Sequence, residues 1–298
     1  MHGRLRVRHG GVHTVTVRGS CLCGAVRWEA DGPFEFLSHC YCGRCRKAHS
    51  AAFATYVMSP AGGFRLTGRE HVRTFRTSPT GERPFCLHCG SVVADGAEWQ
   101  GLVQMPAGAL DDDPGVRPVA HILVGSKAPW WEIRDAVPQF DGYPPGIDMA
   151  VLGDLPPADP PSGKPRGSCL CGDVAYVVEG TPSHVVLCHC SRCRKINGAA
   201  HNAMLWTTGE PVRFTRGEAS LVTYAVAGTL FRQRFCPRCG AKMPAYSEEF
   251  GFSFVPMGTL DDDPGIRPSG HLYVGSKAPW YELPDDGLPR HETLPGMG

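Results

Sequence analysis

Gly19-Ser20-Cys21-Leu22-Cys23-Gly24 recurs 148 residues later as Gly167-Ser168-Cys169-Leu170-Cys171-Gly172. This echo decides the fold, because it opens a longer one. Cys40-x-Cys42-x-x-Cys45 returns as Cys188-x-Cys190-x-x-Cys193, and Cys45-Arg46-Lys47 returns as Cys193-Arg194-Lys195. Cys86-x-x-Cys89-Gly90 returns as Cys236-x-x-Cys239-Gly240. Leu110 to Gly115 is repeated from Leu260, and Val124 to Trp130 from Val274. The fourteen cysteines thus form two matched sets of seven. A period this long marks a duplicated domain rather than a solenoid unit. The expected units are 15–147 and 163–298, separated by a linker at 148–162 with its boundary near Gly153. The surrounding stretch, 141–165, is dense in Pro, Gly and Asp. Pro144-Pro145, Pro156-Pro157 and Pro160-Pro161 fix φ and remove backbone donors, so it reads as a semi-rigid extended segment.

With 298 residues, 42% hydrophobic and 20% charged, the chain has ordinary globular composition and room for two domains. Its formal charge of +1 carries no broad attraction to nucleic acid or to a membrane surface. No apolar run approaches the roughly 20 residues of a membrane helix. Met1 to Arg18 carries Arg4, Arg6 and Arg8 but no apolar core, so it does not read as a secretory signal, and a cytoplasmic location is expected. In a reducing compartment, thiols at chelating spacing favour zinc over disulfides. An odd count per repeat also argues against complete pairing.

The expected fold is mainly β: two tandem zinc-bearing twisted β-sheet domains with one short helix each. Ala25 to Ala30 alternates, with Val26 and Trp28 on one face and Arg27 and Glu29 on the other; Val174 to Val178 is its counterpart. Further strands are expected at His71 to Thr77, Leu102 to Met105 and His121 to Val124. Their counterparts are Leu221 to Ala225, Phe252 to Pro256 and His271 to Val274. A short helix is expected after each C-x-C-x-x-C, at Arg46 to Ala52 and Arg194 to Ala200.

Seven thiols divide into four plus three. A C-x-x-C-Gly knuckle supplies two metal ligands, and the C-x-C before the first strand supplies two more. Cys21, Cys23, Cys86 and Cys89, and likewise Cys169, Cys171, Cys236 and Cys239, make closed four-thiolate sites. Cys40, Cys42 and Cys45, and Cys188, Cys190 and Cys193, remain as trios whose fourth position is open, the arrangement of catalytic zinc. His39 as a fourth ligand is disfavoured because Leu187 stands at its place in the second repeat, and His189 and His201 likewise lack His counterparts at Tyr41 and Phe53. An iron–sulfur fragment would need another thiol. Three thiolates on Zn²⁺ leave a formal charge of −1, better suited to capturing a thiol than to activating water. Arg46 and Arg194 can offset that charge or meet a substrate carboxylate. Lys47 and Lys195 read as a solvated helical turn. Asp111 to Asp113 read as an Asx turn, His121/His271 and Trp130/Trp280 as packed core, and Lys127/Lys277 as a surface loop.

G-S-C-x-C-G, C-x-C-x-x-C-R, F-C-x-x-C-G and S-K-A-P-W together resemble the glutathione-dependent formaldehyde-activating enzyme family, to which the centromere protein V domain also belongs. The resemblance covers about 15–145 and 163–298. It implies a zinc-bearing, largely β domain with the C-x-C and C-x-x-C thiols structural and the trios catalytic, hence two zinc ions per domain and four per chain. It also implies a carbon–sulfur lyase of the S-(hydroxymethyl)glutathione synthase type, joining a thiol such as glutathione to formaldehyde or a related aldehyde. The chain departs from the family's usual pattern in being duplicated, in Ser50 where the second repeat has the commoner glycine, Gly198, and in His201 opposite Phe53. The rival readings are a non-catalytic zinc-stabilised scaffold, whose trio zinc would take a protein side chain as fourth ligand, and redox chemistry on metal-free thiols.

Overall fold

The computed structural model describes residues 15–79 and 81–295. The reading of Met1 to Arg18 therefore lies mostly outside the described residues. In the first repeat, Thr16–Ser20, Arg27–Asp31 and Phe64–Thr67 form an antiparallel sheet, and Val72–Arg76 pairs with Glu82–Cys86. A second sheet runs in the order Ala120–Ile122, Glu35–Cys40, Ala54–Pro60, Leu102–Pro106, Glu98–Trp99. Its first pair is parallel and the rest are antiparallel. The second repeat copies the plan. Arg166–Ser168, Ala175–Val177 and Arg213–Arg216 make the small sheet, and Thr181–Cys188 and Asn202–Thr208 lie at the centre of a six-stranded one. Both repeats are mainly β.

The central strands are absent from the sequence expectations, and for one of them, Ala54–Pro60, the reason is physical. Ala54–Pro60 is buried at every residue but the last, so it shows no alternation to read. The helices are present but begin three residues early. Helix α1 is Gly43–His49 and helix α2 is Ser191–Asn197, not 46–52 and 194–200. The chelating loop is itself the first turn: Cys42 Sγ accepts from Cys45 N, and Cys190 Sγ from Cys193 N, each at 3.4 Å, so a thiol serves as the N-cap. Ser50 (φ 53°) and Gly198 (φ 63°) then stop the helices in the left-handed region.

The two repeats share one apolar core, and the helices exchange places across it. Helix α1 packs on the second repeat as well as on Ala54–Pro60 of its own, and helix α2 on the first repeat as well as on Asn202–Thr208. A Cβ on Gly258 would lie 2.3 Å from Ala51 N, and one on Gly108 would lie 2.2 Å from Ala199 O, so only glycine permits this approach. Lys47 Nζ reaches across to Asp261 Oδ1 at 2.6 Å and to Ser168 Oγ at 2.5 Å. Lys195 Nζ reaches Ser20 Oγ and Asp111 in the reciprocal contact. This corrects the reading of both lysines as a solvated turn: Lys47 is 3% exposed. It also corrects the reading of the Asp triplets as local turns alone. Only Asp113 and Asp263 make the Asx bond, to Gly115 N and Gly265 N, while Asp112 and Asp262 hold Arg18 and Arg166. Trp130 and Trp280 are buried core, as expected.

Candidate metal centres

The structure brings Cys21, Cys23, Cys86 and Cys89 together, and separately Cys169, Cys171, Cys236 and Cys239, with the Sγ atoms of each group within 4.8 Å of one another. Each knuckle turns at a glycine with φ 73°, Gly90 or Gly240. The C-x-C pair sits in the turn between the first two strands of the small sheet, after the first strand and not before it as expected, and Cys21 Sγ accepts from Val26 N at 3.2 Å, as Cys169 Sγ does from Val174 N at 3.3 Å. Within both groups the C-x-C sulfurs lie 3.4 Å apart and the link to the knuckle is 3.7 Å. A tetrahedral zinc with bonds of about 2.3 Å sets sulfur edges of roughly 3.8 Å. Four thiols at that spacing, all unoxidised, fit such an ion.

The trios also assemble: Cys40, Cys42 and Cys45 in one place, Cys188, Cys190 and Cys193 in another, with no fourth His, Cys, Asp or Glu in either group among the described residues. In each trio one thiol is driven toward the thiolate by hydrogen bonds from the other two. In the first it is Cys45, held well below the usual thiol range by Cys40 and Cys42 and then by the charge of Arg83. In the second it is Cys190, brought down to about 3 by Cys188 and Cys193. The remaining thiols stay high.

The surroundings of the trios differ. Arg83, from the hairpin strand Glu82–Cys86, donates to Cys45 Sγ at 3.3 Å. Tyr56, Phe140 and Tyr143 complete an apolar cover over the first trio. Sequence reasoning missed all four residues; the one available signal was Arg83 standing opposite Gln233. At the second trio Gln233 turns its amide to Arg234 O instead. Tyr273 stands beside that trio, its phenol pushed up by burial and by the charges of Cys188, Cys190 and Cys193. The structure places Arg46 under the first trio with Nη1 on Leu260 O at 3.3 Å, and Arg194 Nε on His189 O and Ser276 O.

His39, His121, His189, His201 and His271 turn their rings into the shared core, and none is grouped with a trio as a ligand. His39 Nδ1 meets Thr55 Oγ1 at 2.9 Å. His121 bridges Tyr41 and Asp135, and His271 bridges His189 and Asp286. His201 is fully buried with neither ring nitrogen partnered, and burial brings it down to about 3.

The profile of the family described as "Glutathione-dependent formaldehyde-activating enzyme" matches residues 16–126 and again 164–276. The chain belongs to the glutathione-dependent formaldehyde-activating enzyme family. A putative member of Halomonas elongata is 35% identical over 140 residues, spanning 43% of this chain and 88% of that protein. An uncharacterized lyase of Schizosaccharomyces pombe is 31% identical over 75 residues, 25% of this chain and 53% of that protein. Membership supports a formaldehyde-activating, lyase-type role, and the four cysteine clusters are placed to hold the metal ions such a role would use. Among the described residues no helix is long and apolar enough to cross a membrane.

Proposed function

We propose that the chain is a zinc-dependent carbon–sulfur lyase of the S-(hydroxymethyl)glutathione synthase type, joining a thiol such as glutathione to formaldehyde or a related aldehyde in the cytoplasm. Four zinc ions per chain, two in each unit (15–147 and 163–298), complete the proposal. The observation that carries it is the three-thiol cluster without a fourth protein donor, beside a complete four-thiol cluster. Each trio would hold a zinc ion, which would supply a coordination position that favours the thiolate form of an incoming thiol.

The sum is an addition. A carbon–sulfur bond forms, the carbonyl π bond opens, and the thiol's proton ends on the carbonyl oxygen, so no oxidant is needed. At the second trio Tyr273, its phenol pushed up by burial and by the neighbouring thiolates, keeps its proton at neutral pH. Holding both reactants at one place supplies much of the gain. Cys40, Cys42 and Cys45, and Cys188, Cys190 and Cys193, are the catalytic ligands, with Arg46 and Arg194 behind them. The cover of Arg83, Phe140 and Tyr143 favours a second reading for the first trio alone, that of a closed and non-catalytic metal site. We therefore assign most of the activity to the second.

Exchange between formaldehyde and glutathione, followed by NMR, tests both parts. Cys190→Ala is expected to lose nearly all of the enzyme-dependent exchange and Cys42→Ala to keep most of it. Exchange no faster than the uncatalysed rate at any pH refutes the lyase reading.

A further inference from the structure

Residues 153–159 lie along the protein surface as a strap. The strap starts at α1, where Arg44 Nη1 donates to Gly153 O at 2.5 Å and Asp154 lies against Gly43, inside the chelating loop of the first trio. It ends in a clasp on the second repeat. Arg216 donates to Asp159 Oδ1 at 2.5 Å and to Ala158 O at 3.1 Å. Thr215 Oγ1 donates to Asp159 Oδ2 at 2.5 Å, and Arg166 Nη1 donates to Asp159 O. Two arginines and a hydroxyl thus read one carboxylate and two backbone carbonyls of an extended segment.

The first repeat builds a corresponding groove, with a volume of about 900 Å³, that nothing fills among the described residues. Arg18 to Gly24 line it as the counterpart of Arg166 to Gly172, Thr67 stands for Thr215, and the Lys195–Asp111 pair stands for Lys47–Asp261. The clasp arginine is also there, supplied from a different strand. Arg27 Nε donates to Gly24 O at 3.0 Å, just as Arg216 Nε donates to the matching Gly172 O at 2.9 Å. Arg216 goes on to hold Asp159, whereas Arg27 has no carboxylate partner among the described residues. Of the four cations that line the groove, Arg18 is paired with Asp112, Arg65 with Asp31 and Lys195 with Asp111, which leaves Arg27; Cys21 and Cys23 of the four-thiol cluster also line it. Residues 1–14, which precede the first sheet as the strap precedes the second, contain no Asp or Glu.

We propose that the groove around Arg27 binds the carboxylate of a short extended peptide, in the position that the strap's Asp159 fills in the second repeat. Lys195, on the helix that carries Cys193, lines the groove together with Cys21 and Cys23, so the ligand lies beside the four-thiol cluster of the first repeat. Two sources fit this chemistry: a carboxylate-bearing thiol peptide such as glutathione, which rests on the function proposed above, or an acidic peptide segment like the strap.

The test is an NMR titration of the zinc-loaded chain, reading the arginine Nε–H signals with two thiol-free probes. One is S-methylglutathione, and the other is a capped peptide of residues 153–160. A saturable shift of the Arg27 signal with either probe, weakened at least tenfold in Arg27→Ala, is expected. The probe that binds identifies the source. Asp159→Ala is expected to vacate the second groove and add a second site per chain. The proposal is overturned if neither probe moves Arg27 up to about 10 mM, above the millimolar effective concentration of a short tether. It is equally overturned if Arg27→Ala binds undiminished or Asp159→Ala adds no site. Neither probe can undergo the condensation, so this failure leaves the lyase reading intact, and failure of that reaction leaves the groove intact.

Discussion

At the first trio a guanidinium donates to Cys45, while Phe140 and Tyr143 close over the thiols and the strap crosses the chelating loop. At the second, Gln233 replaces Arg83, and His291 stands where Phe140 does, one residue beyond the partner of the core histidine. The ligands are the same and the environments opposed. A metal site's chemistry is set by what neutralises and covers it as well as by its ligands. The four-thiol sites agree in their sulfur separations and differ in one hydroxyl, Ser91 Oγ at 3.2 Å from Cys89 Sγ, where the second repeat has Ala241.

The largest expected effect falls where the repeats agree. Cys86→Ala and Cys236→Ala each remove a ligand from a closed site whose metal contributes roughly 10–16 kcal/mol to folding. Circular dichroism and zinc analysis should show that neither variant folds. If one folds, the equivalence of these sites is broken.

The reciprocal lysine pairs come next. Lys47–Asp261 is buried at both ends, 4% and 4% exposed, whereas Lys195–Asp111 is 20% and 32% exposed. Asp261→Ala strands a buried ammonium and should cost about 3–5 kcal/mol in denaturant unfolding. Asp111→Ala should cost about 1 kcal/mol or less. Equal costs would show that burial does not separate them.

Arg83→Gln sharpens the comparison by making the first trio resemble the second. Removal of a charged partner from a ligand thiolate should weaken metal retention at that trio by about 10- to 100-fold in chelator competition. Gln233→Arg should move the second trio the other way.

The smallest effect concerns His201, where the first repeat has Phe53. Its folded-state value of about 3 lies below the ordinary value near 6.5, so between those limits the unfolded chain binds the extra proton. Stability from this residue is complete above about pH 6.5 and is lost as pH falls toward 3. His201→Phe should flatten the dependence of unfolding free energy on pH by up to about 1.4 kcal/mol per unit between pH 5 and 6.5. An unchanged slope would mean that His201 is not the neutral, buried base described.

The division of the cysteines into four and three is legible in the sequence because chelation is local: each pair or trio is set by spacing, and the duplication repeats it. The edge strands were legible by their alternation. Ala54–Pro60 was not, because all but its last residue are buried, whereas its counterpart Asn202–Thr208 does alternate in burial and was passed over. What surrounds the trios was hidden for another reason. Arg83 meets Cys45 across 38 residues, and Lys47 meets Asp261 across 214, through a partner repeat whose placement no spacing announces. The strap read as a spacer because its composition reports stiffness and not what its Asp159 touches.

The exchanged helices make tether and interface separable. With α1 seated on the second repeat and α2 on the first, the halves hold each other as two subunits of a symmetric dimer would. A protease site engineered at Pro156-Pro157 would yield a nicked particle that still migrates as one. The Asp159 end would stay with the second half, now held by its clasp alone and able to leave.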